Sequence, residues 1–324
     1  MAENSGIEWT DHTFNPWIGC TRVSPACDNC YAETLATGRL GREWGPHAAR
    51  RRTKTWGDPV RWNRQAEGAT VRPRVFCASL ADVFDNHRSI LPEWRHDLWA
   101  LIETTPNLDW LLLTKRPQNI AKMVPQRWMG DGFPPHVWTG TTVENQTEAE
   151  RRIPHLLAVP ARVRFLSCEP LLGPVDLETA WHGENAIDSE CWGDCAWCER
   201  GFPALHNCKR GCQSEGDWHK GRSGLDWIIT GGESGGTARP SNPQWFRDLR
   251  DQCADAGVPF LFKQWGEWVS VSEVEGPGRH HTFEDGRTVR RIGKKRAGRT
   301  LDGVIHDGFP APSAPACAAA LTPE

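Results

Sequence analysis

Six near-continuous apolar stretches punctuate the chain: RVFCASLADVF from Arg74, LDWLLLTKRP from Leu108, HVWTGTTVEN from His136, RVRFLSCEPLLG from Arg162, LDWIITGGESGG from Leu225 and VPFLFKQWGEW from Val258. A strand with one wet face alternates apolar and polar residues, whereas a strand covered on both faces does not. These runs therefore predict strands of a shielded parallel sheet. Helix-like segments such as LPEWRHDLWALIETT and NPQWFRDLRDQCADAG stand between them, the second closing on Gly257 as a helix C-terminus does. Repeated strand–helix units joined by right-handed crossovers make an α/β fold, either doubly wound or a partial or complete parallel (β/α) barrel.

Each run ends in polar residues: Ser79 and Asp82; Thr114, Lys115 and Arg116; Thr141, Glu144 and Asn145; Glu169; Glu233 and Ser234; Lys263 and Gln264. In parallel α/β folds the carboxyl ends of the strands carry the ligand site, so the endings predict one shared site. The rhythm breaks at 177–224, a segment rich in Trp, Cys, Gly and charge that reads as an insertion. Residues 1–176 and 225–309 then form the barrel domain, and 310–324, PAPSAPACAAALTPE, reads as a disordered tail.

No stretch approaches eighteen consecutive apolar residues, and the start of the chain lacks the basic-then-apolar pattern of an export signal. A cytoplasmic protein without a membrane partner is expected. There, twelve cysteines point to metal binding before disulfides. The formal charge of −3 gives no global reason to expect a polyanion partner. Eight cysteines fall in two clusters: Cys20, Cys27 and Cys30, then Cys191, Cys195, Cys198, Cys208 and Cys212. Cys77, Cys168, Cys253 and Cys317 are scattered and read as small buried residues.

The first cluster, GCTRVSPACDNCYAE, has the spacing C-x6-C-x2-C. Three thiolates cannot close a structural zinc site, which takes four ligands, unless a residue such as His12 joins them. They can instead hold three irons of a [4Fe-4S] cluster and leave the fourth iron open to a substrate or cofactor. A thiol–disulfide enzyme using Cys27 and Cys30 is a weaker alternative, because the pair does not follow a thioredoxin-like strand.

The stretches IEWTDHTFNPWIGCTRVSPACDNCYAE, GGESG, FKQWGEW and AGRTLDG resemble an uncharacterised phage-associated family with an N-terminal three-cysteine motif, itself regarded as similar to radical S-adenosylmethionine (SAM) enzymes. The resemblance spans nearly the whole chain except 177–224 and the tail. It implies a radical SAM-like barrel in which Cys20, Cys27 and Cys30 hold a [4Fe-4S] cluster and SAM chelates the open iron. An electron-donor protein would supply the electron that releases a 5′-deoxyadenosyl radical. Gly231, Gly232 and Glu233 look like the glycine-rich SAM-binding element, and Glu169 and Tyr31 join them as cofactor-binding residues, with Tyr31 set against the adenine. The chain departs from the common C-x3-C-x2-C spacing and carries Asn29 where an aromatic residue precedes the last cysteine. Its GGE also closes a late strand rather than the second.

CWGDCAWC, residues 191–198, has the common spacing but lies inside the insertion. Cys195, Cys198, Cys208 and Cys212 form C-x2-C-x9-C-x3-C, a zinc-ribbon pattern, with Cys191, His206 and His219 as alternates. A structural Zn2+ contributes about 10–16 kcal/mol in small finger peptides, enough to order a segment with little core of its own. An auxiliary iron–sulfur cluster is the other reading.

Residues 39–65 interleave Arg39, Arg42, Arg50, Arg51, Arg52, Lys54, Arg61 and Arg64 with Trp44, Trp56 and Trp62, and RTVRRIGKKRAGR adds a second basic run. Arginine for phosphate and tryptophan for base stacking suits single-stranded nucleic acid. Tryptophans packed beneath arginine stems would give the same pattern. The leading expectation is a radical SAM-like iron–sulfur enzyme acting on a nucleotide or nucleic acid. The alternative is a non-enzymatic, zinc-containing nucleic-acid-binding protein.

Overall fold

The computed structural model describes residues 2–130, 132–187 and 224–311. The zinc assignments at Cys191, Cys195, Cys198, Cys208 and Cys212, with His206 and His219, lie outside the described residues, as does the tail from 312 onward.

The main sheet has eight strands, numbered here in chain order: β1 (Ala2–Glu3), β2 (His12–Thr13), β3 (Arg74–Cys77), β4 (Asp109–Thr114), β5 (Val137–Thr142), β6 (Val163–Cys168), β7 (Trp227–Gly231) and β8 (Phe260–Gln264). Their spatial order is their chain order. β1 pairs antiparallel with β2, and the seven strands β2–β8 are all parallel. Strand-to-neighbour winding with the native twist curls these seven into a half-barrel whose edges, β1 and β8, do not pair with each other. All six runs singled out above carry one of these strands.

Helices cover the outer face. Pro92–Glu103 (12 residues) links β3 to β4, Gln146–Leu157 links β5 to β6, and Pro243–Asp255 links β7 to β8. Asn145 caps the second of these by accepting from the Glu148 amide, and Asn242 caps the third by accepting from Gln244. Outer strand residues such as Val75, Leu112, Leu166 and Phe262 pack with Leu98, Ile102, Leu156 and Phe246 of the helices. A second cluster contains no helix residue and fills the concave face: Trp9, Phe76, Leu111, Trp138, Phe165 and Trp227, with Ile229 and Leu261. Both faces of the strands are thus apolar, which is why the sequence runs do not alternate.

Inside the barrel, Gly140 of β5 lets the Phe165 ring of β6 lie directly against the strand. A Cβ at position 140 would stand 2.4 Å from the Phe165 ring. That ring belongs to the packed apolar cluster of the concave face, and strand residues nearer the carboxyl ends turn polar.

The first part of the 177–224 segment belongs to the barrel's packing. Leu177, Ala180, Ala186 and Ile187 are buried in the outer core, and the Leu225 amide donates to Ala186 O at 3.0 Å. After β8 the chain forms a three-stranded antiparallel sheet of Trp268–Ser270, Arg279–Thr282 and Thr288–Arg291, then a strand pair, Thr300–Leu301 with Val304–Ile305. Among the described residues no helix is long and apolar enough to cross a membrane.

Candidate functional site

The three-cysteine loop lies across the carboxyl ends of the parallel strands. Gly19 bridges Ala81 in parallel just beyond β3, so Cys20 begins the loop at the top of the barrel. A 3-10 turn, Pro25–Cys27, folds the six-residue spacer, and Cys30 is the N-cap of the helix Tyr31–Gly38. Cys27 is buried, whereas Cys20 and Cys30 are half-buried.

Three side chains and one backbone carbonyl, from four strand ends, grip this loop and the start of the helix after it. From the β4 end, Arg116 donates to Thr21 O at 2.8 Å and contacts Cys20 Sγ at 3.7 Å. From the β5 end, the fully buried Glu144 accepts from the Ala26 amide at 3.2 Å and is itself held by Arg152 at 2.9 Å. From the β7 end, Glu233 accepts from Asn29 Nδ2 at 2.9 Å. Arg239 locks that carboxylate at 2.6 Å and also reaches Asp28 and Pro25 O. From the β3 end, Ser79 O accepts from the Tyr31 hydroxyl at 2.7 Å, although 58% of Tyr31 is exposed. A loop held at this many points is fixed in position before anything binds to it.

Beneath Cys20 lies a buried quartet. Arg116 pairs with Asp82 at 2.9 Å and Asp85 at 3.7 Å, and Arg50 pairs with Asp85 at 2.7 Å while reaching Thr21 Oγ1. Burial, aided by the Asp82 charge and opposed by Arg116, pushes the Cys20 thiol up to about 12. A thiol so placed is a poor free nucleophile, and a metal cation is the partner that would favour its thiolate.

Above Phe165 the concave face carries a polar layer, set by the alternation along each strand. Lys115 Nζ contacts Thr142 Oγ1 at 3.3 Å. Ser167 donates to Glu169 at 3.3 Å, and Lys263 pairs with Glu169 at 3.1 Å. Beside the cysteine loop a cleft of about 430 Å³ is lined by Val23, Lys115, Arg116, Asn119, Arg151 and His155, with no acidic residue.

The expected strand-end residues therefore do share one face. Glu169 lies in the inner layer, and Tyr31 and Glu233 hold the loop. Gly231 and Gly232 have a packing role: a Cβ on Gly232 would fall 2.0 Å from Trp265 O, so only glycine lets the two strand-end turns cross. His12, the sequence's fourth-ligand candidate, stands at the amino end of the parallel strands, stacked on Trp62 at 4.4 Å and away from the thiols. Among the described residues no three His, Cys, Asp or Glu side chains converge as a metal-ligand set. What fits a cluster is the donor chemistry: three soft sulfurs on one anchored loop, with an arginine N–H at one of them.

Sequence reasoning missed Arg239, Arg152, Asp85 and the role of Arg50. Arg50 sits in the basic run yet is 3% exposed. In the same run Trp62 is buried, Trp56 packs against the core under Arg52, and Arg52 and Arg61 pair with Asp97 and Glu3. Trp62 is thus a core residue, while Trp56 is half-buried at the core's edge. The scattered Cys77, Cys168 and Cys253 are buried, as expected.

A family model described as a protein of unknown function, DUF5131, matches residues 4–310. No curated protein and no solved structure matches the chain.

Proposed function

We propose that this chain, which belongs to the DUF5131 family of proteins of unknown function, is a radical SAM-like iron–sulfur enzyme acting on a nucleotide or nucleic acid. One observation carries the reading: a loop with three free thiols is clamped from four strand ends, by three side chains and one backbone carbonyl, over the open mouth of a parallel half-barrel. Cys20, Cys27 and Cys30 would hold the [4Fe-4S] cluster. When bound, the cluster and SAM supply reductive cleavage of the S–C5′ bond, one electron from a donor protein yielding methionine and a 5′-deoxyadenosyl radical that abstracts hydrogen.

The chain's own residues position and shield. Arg116 places an N–H at Cys20 Sγ, a contact of the kind that tunes a cluster's potential. Phe165 and the apolar barrel interior close the floor against water. Lys115, Thr142, Ser167, Glu169 and Lys263 offer donors and acceptors from the walls to orient the reacting molecules. Three free thiols suit a reducing compartment, which supports a cytoplasmic location for the proposed enzyme.

The test is anaerobic purification with iron, sulfide and zinc analysis, and EPR of the reduced protein with and without SAM. About four irons per chain, the content of one [4Fe-4S] cluster, and a reduced signal altered by SAM support the reading. Cys20→Ala, Cys27→Ala and Cys30→Ala should each lose iron while zinc is retained. Zinc alone after reconstitution would make both cysteine clusters structural and favour a zinc-containing nucleic-acid-binding protein.

A further inference from the structure

The half-barrel leaves a seam between its two edges, and a cleft of about 400 Å³ occupies it. One wall is Glu8, from the segment joining β1 to β2. The other is Lys263 and Gln264 of β8, with Lys294, Lys295 and Arg299 alongside. The last three are brought there because Trp265 donates through its backbone to Gly298 O at 3.3 Å and through its indole to Thr300 O at 2.7 Å.

Three of these six side chains keep a buried polar atom without a hydrogen-bond partner: Glu8 Oε2, Gln264 Oε1 and Arg299 Nε. Gln264 is 7% exposed, and its amide nitrogen is already engaged by Gly232 O and Ser234 Oγ. Buried polar groups in folded proteins are nearly always satisfied, so three orphans around one cleft mark missing partners. Two are acceptors and one is a donor. The charges add a second constraint. Lys263 is paired with Glu169 and Arg299 with Asp307, but among the described residues Lys294 and Lys295 have no carboxylate partner.

We propose that this seam cleft binds the phosphate-bearing end of a nucleotide. The phosphate sits against Lys294, Lys295 and the Arg299 guanidinium, and a side-chain shift that uncovers Gln264 Oε1 and Glu8 Oε2, both buried in this structure, lets ribose or base O–H and N–H groups donate to them. Inorganic phosphate would leave the acceptors short of donors and much of the volume empty, whereas a cleft of this size matches a small organic ligand. Lys263 belongs both to the seam and to the polar layer inside the barrel, so a nucleotide held here reaches the mouth. Its role as substrate rests on the enzyme reading above; its binding does not.

The test is calorimetric titration of the full chain, with and without reconstituted iron, using 5′-AMP, adenosine and a 5′-phosphorylated tetranucleotide. At least one phosphorylated probe should bind tenfold or more tighter than adenosine and weaken as salt rises. The double variant Lys294→Ala/Lys295→Ala, at exposed positions, should lose at least tenfold for phosphorylated probes and little for adenosine. Lys122→Ala, another exposed lysine, should match the wild type. Tighter binding of the tetranucleotide assigns a nucleic-acid strand end, and tighter binding of 5′-AMP assigns a free nucleotide. No preference for phosphorylated probes over adenosine, or wild-type affinity in the double variant, overturns the proposal. Binding without iron incorporation leaves the cleft standing and removes the enzyme. A SAM-responsive cluster without nucleotide binding does the reverse.

Discussion

Asn29 and Glu233, 204 positions apart, are joined by a 2.9 Å hydrogen bond from the asparagine amide to the carboxylate. Thr237 completes the joint by donating to Asn29 Oδ1 at 2.8 Å. Asn29 directly precedes Cys30, so this polar clasp ties the last cysteine of the loop to the turn after β7. The clasp couples the spacing of the cysteines to the turn after β7.

The clasp should be pH-dependent. Burial alone would raise the Glu233 pKa, but hydrogen bonds from Arg239 and Asn29 outweigh it and hold the carboxyl below its usual value. A carboxylate depressed in the folded state adds stability above its unfolded pKa of about 4.3, and that stability is lost as pH falls through the folded value. Glu233→Gln should therefore cost about 1.5–3 kcal/mol at pH 7, the range for hydrogen bonds to a charged group. Urea unfolding at several pH values checks this, because the gap between wild type and variant should close below pH ~4. A constant gap would show that packing, not charge, makes the joint.

Cys20 should be sluggish towards alkylation in metal-free protein. With its thiol pushed up to about 12, chiefly by burial and then by Asp82, roughly one molecule in ten thousand carries the thiolate at pH 8. Timed iodoacetamide labelling read by mass spectrometry should find Cys20 modified far more slowly than an unperturbed thiol. Removing the opposing cation in Arg116→Leu should slow it further. Rapid labelling of Cys20 would mean that the quartet of Arg50, Asp82, Asp85 and Arg116 opens readily.

The sheet was legible because burial on both faces writes itself into composition, and the polar residues after each run were legible because each strand leaves the apolar core at its carboxyl end. The clasp was not. Asn29 and Glu233 give no local signal, since their partnership exists only once β7 has been brought round to the loop. Arg50 shows why a charge count misleads: an arginine buried against Asp85 and one facing solvent look alike in a basic run. The GGE turn illustrates a third limit. Gly232 is required by a backbone crossing with Trp265 and Gly266, a packing demand that the sequence alone does not separate from a ligand-binding one.

Gly140→Ala should be costly although it adds one methyl group. The new Cβ would stand 2.4–2.6 Å from three atoms of the Phe165 ring, inside a core with no room to yield. Overpacking of this kind costs about 1–3 kcal/mol. Phe165→Leu removes the obstructing ring edge, so the double variant should be more stable than the sum of the two single changes predicts, by roughly 0.5–3 kcal/mol for directly contacting residues. Additive losses in urea unfolding would mean that the ring moves aside without strain.

Asp109 makes the opposite pH prediction from Glu233. It opens β4 at the amino end of the sheet, 4% exposed, with Oδ1 lacking a hydrogen bond and Arg72 no nearer than 3.8 Å. Burial raises its pKa to about 6 against the pull of Arg72, Arg162 and Arg74. A carboxyl raised in the folded state costs nothing below its unfolded pKa of about 3.9, and the cost of ionising it grows as pH rises towards 6 and is constant above. At about 1.4 kcal/mol per pKa unit the penalty is bounded near 3 kcal/mol. Asp109→Asn should accordingly stabilise the protein by about 1–3 kcal/mol at pH 7.5 and leave it unchanged at pH 3.5. Denaturant unfolding at the two pH values decides the point: a variant less stable at pH 7.5 would show that attraction to the three arginines outweighs the desolvation of the carboxylate.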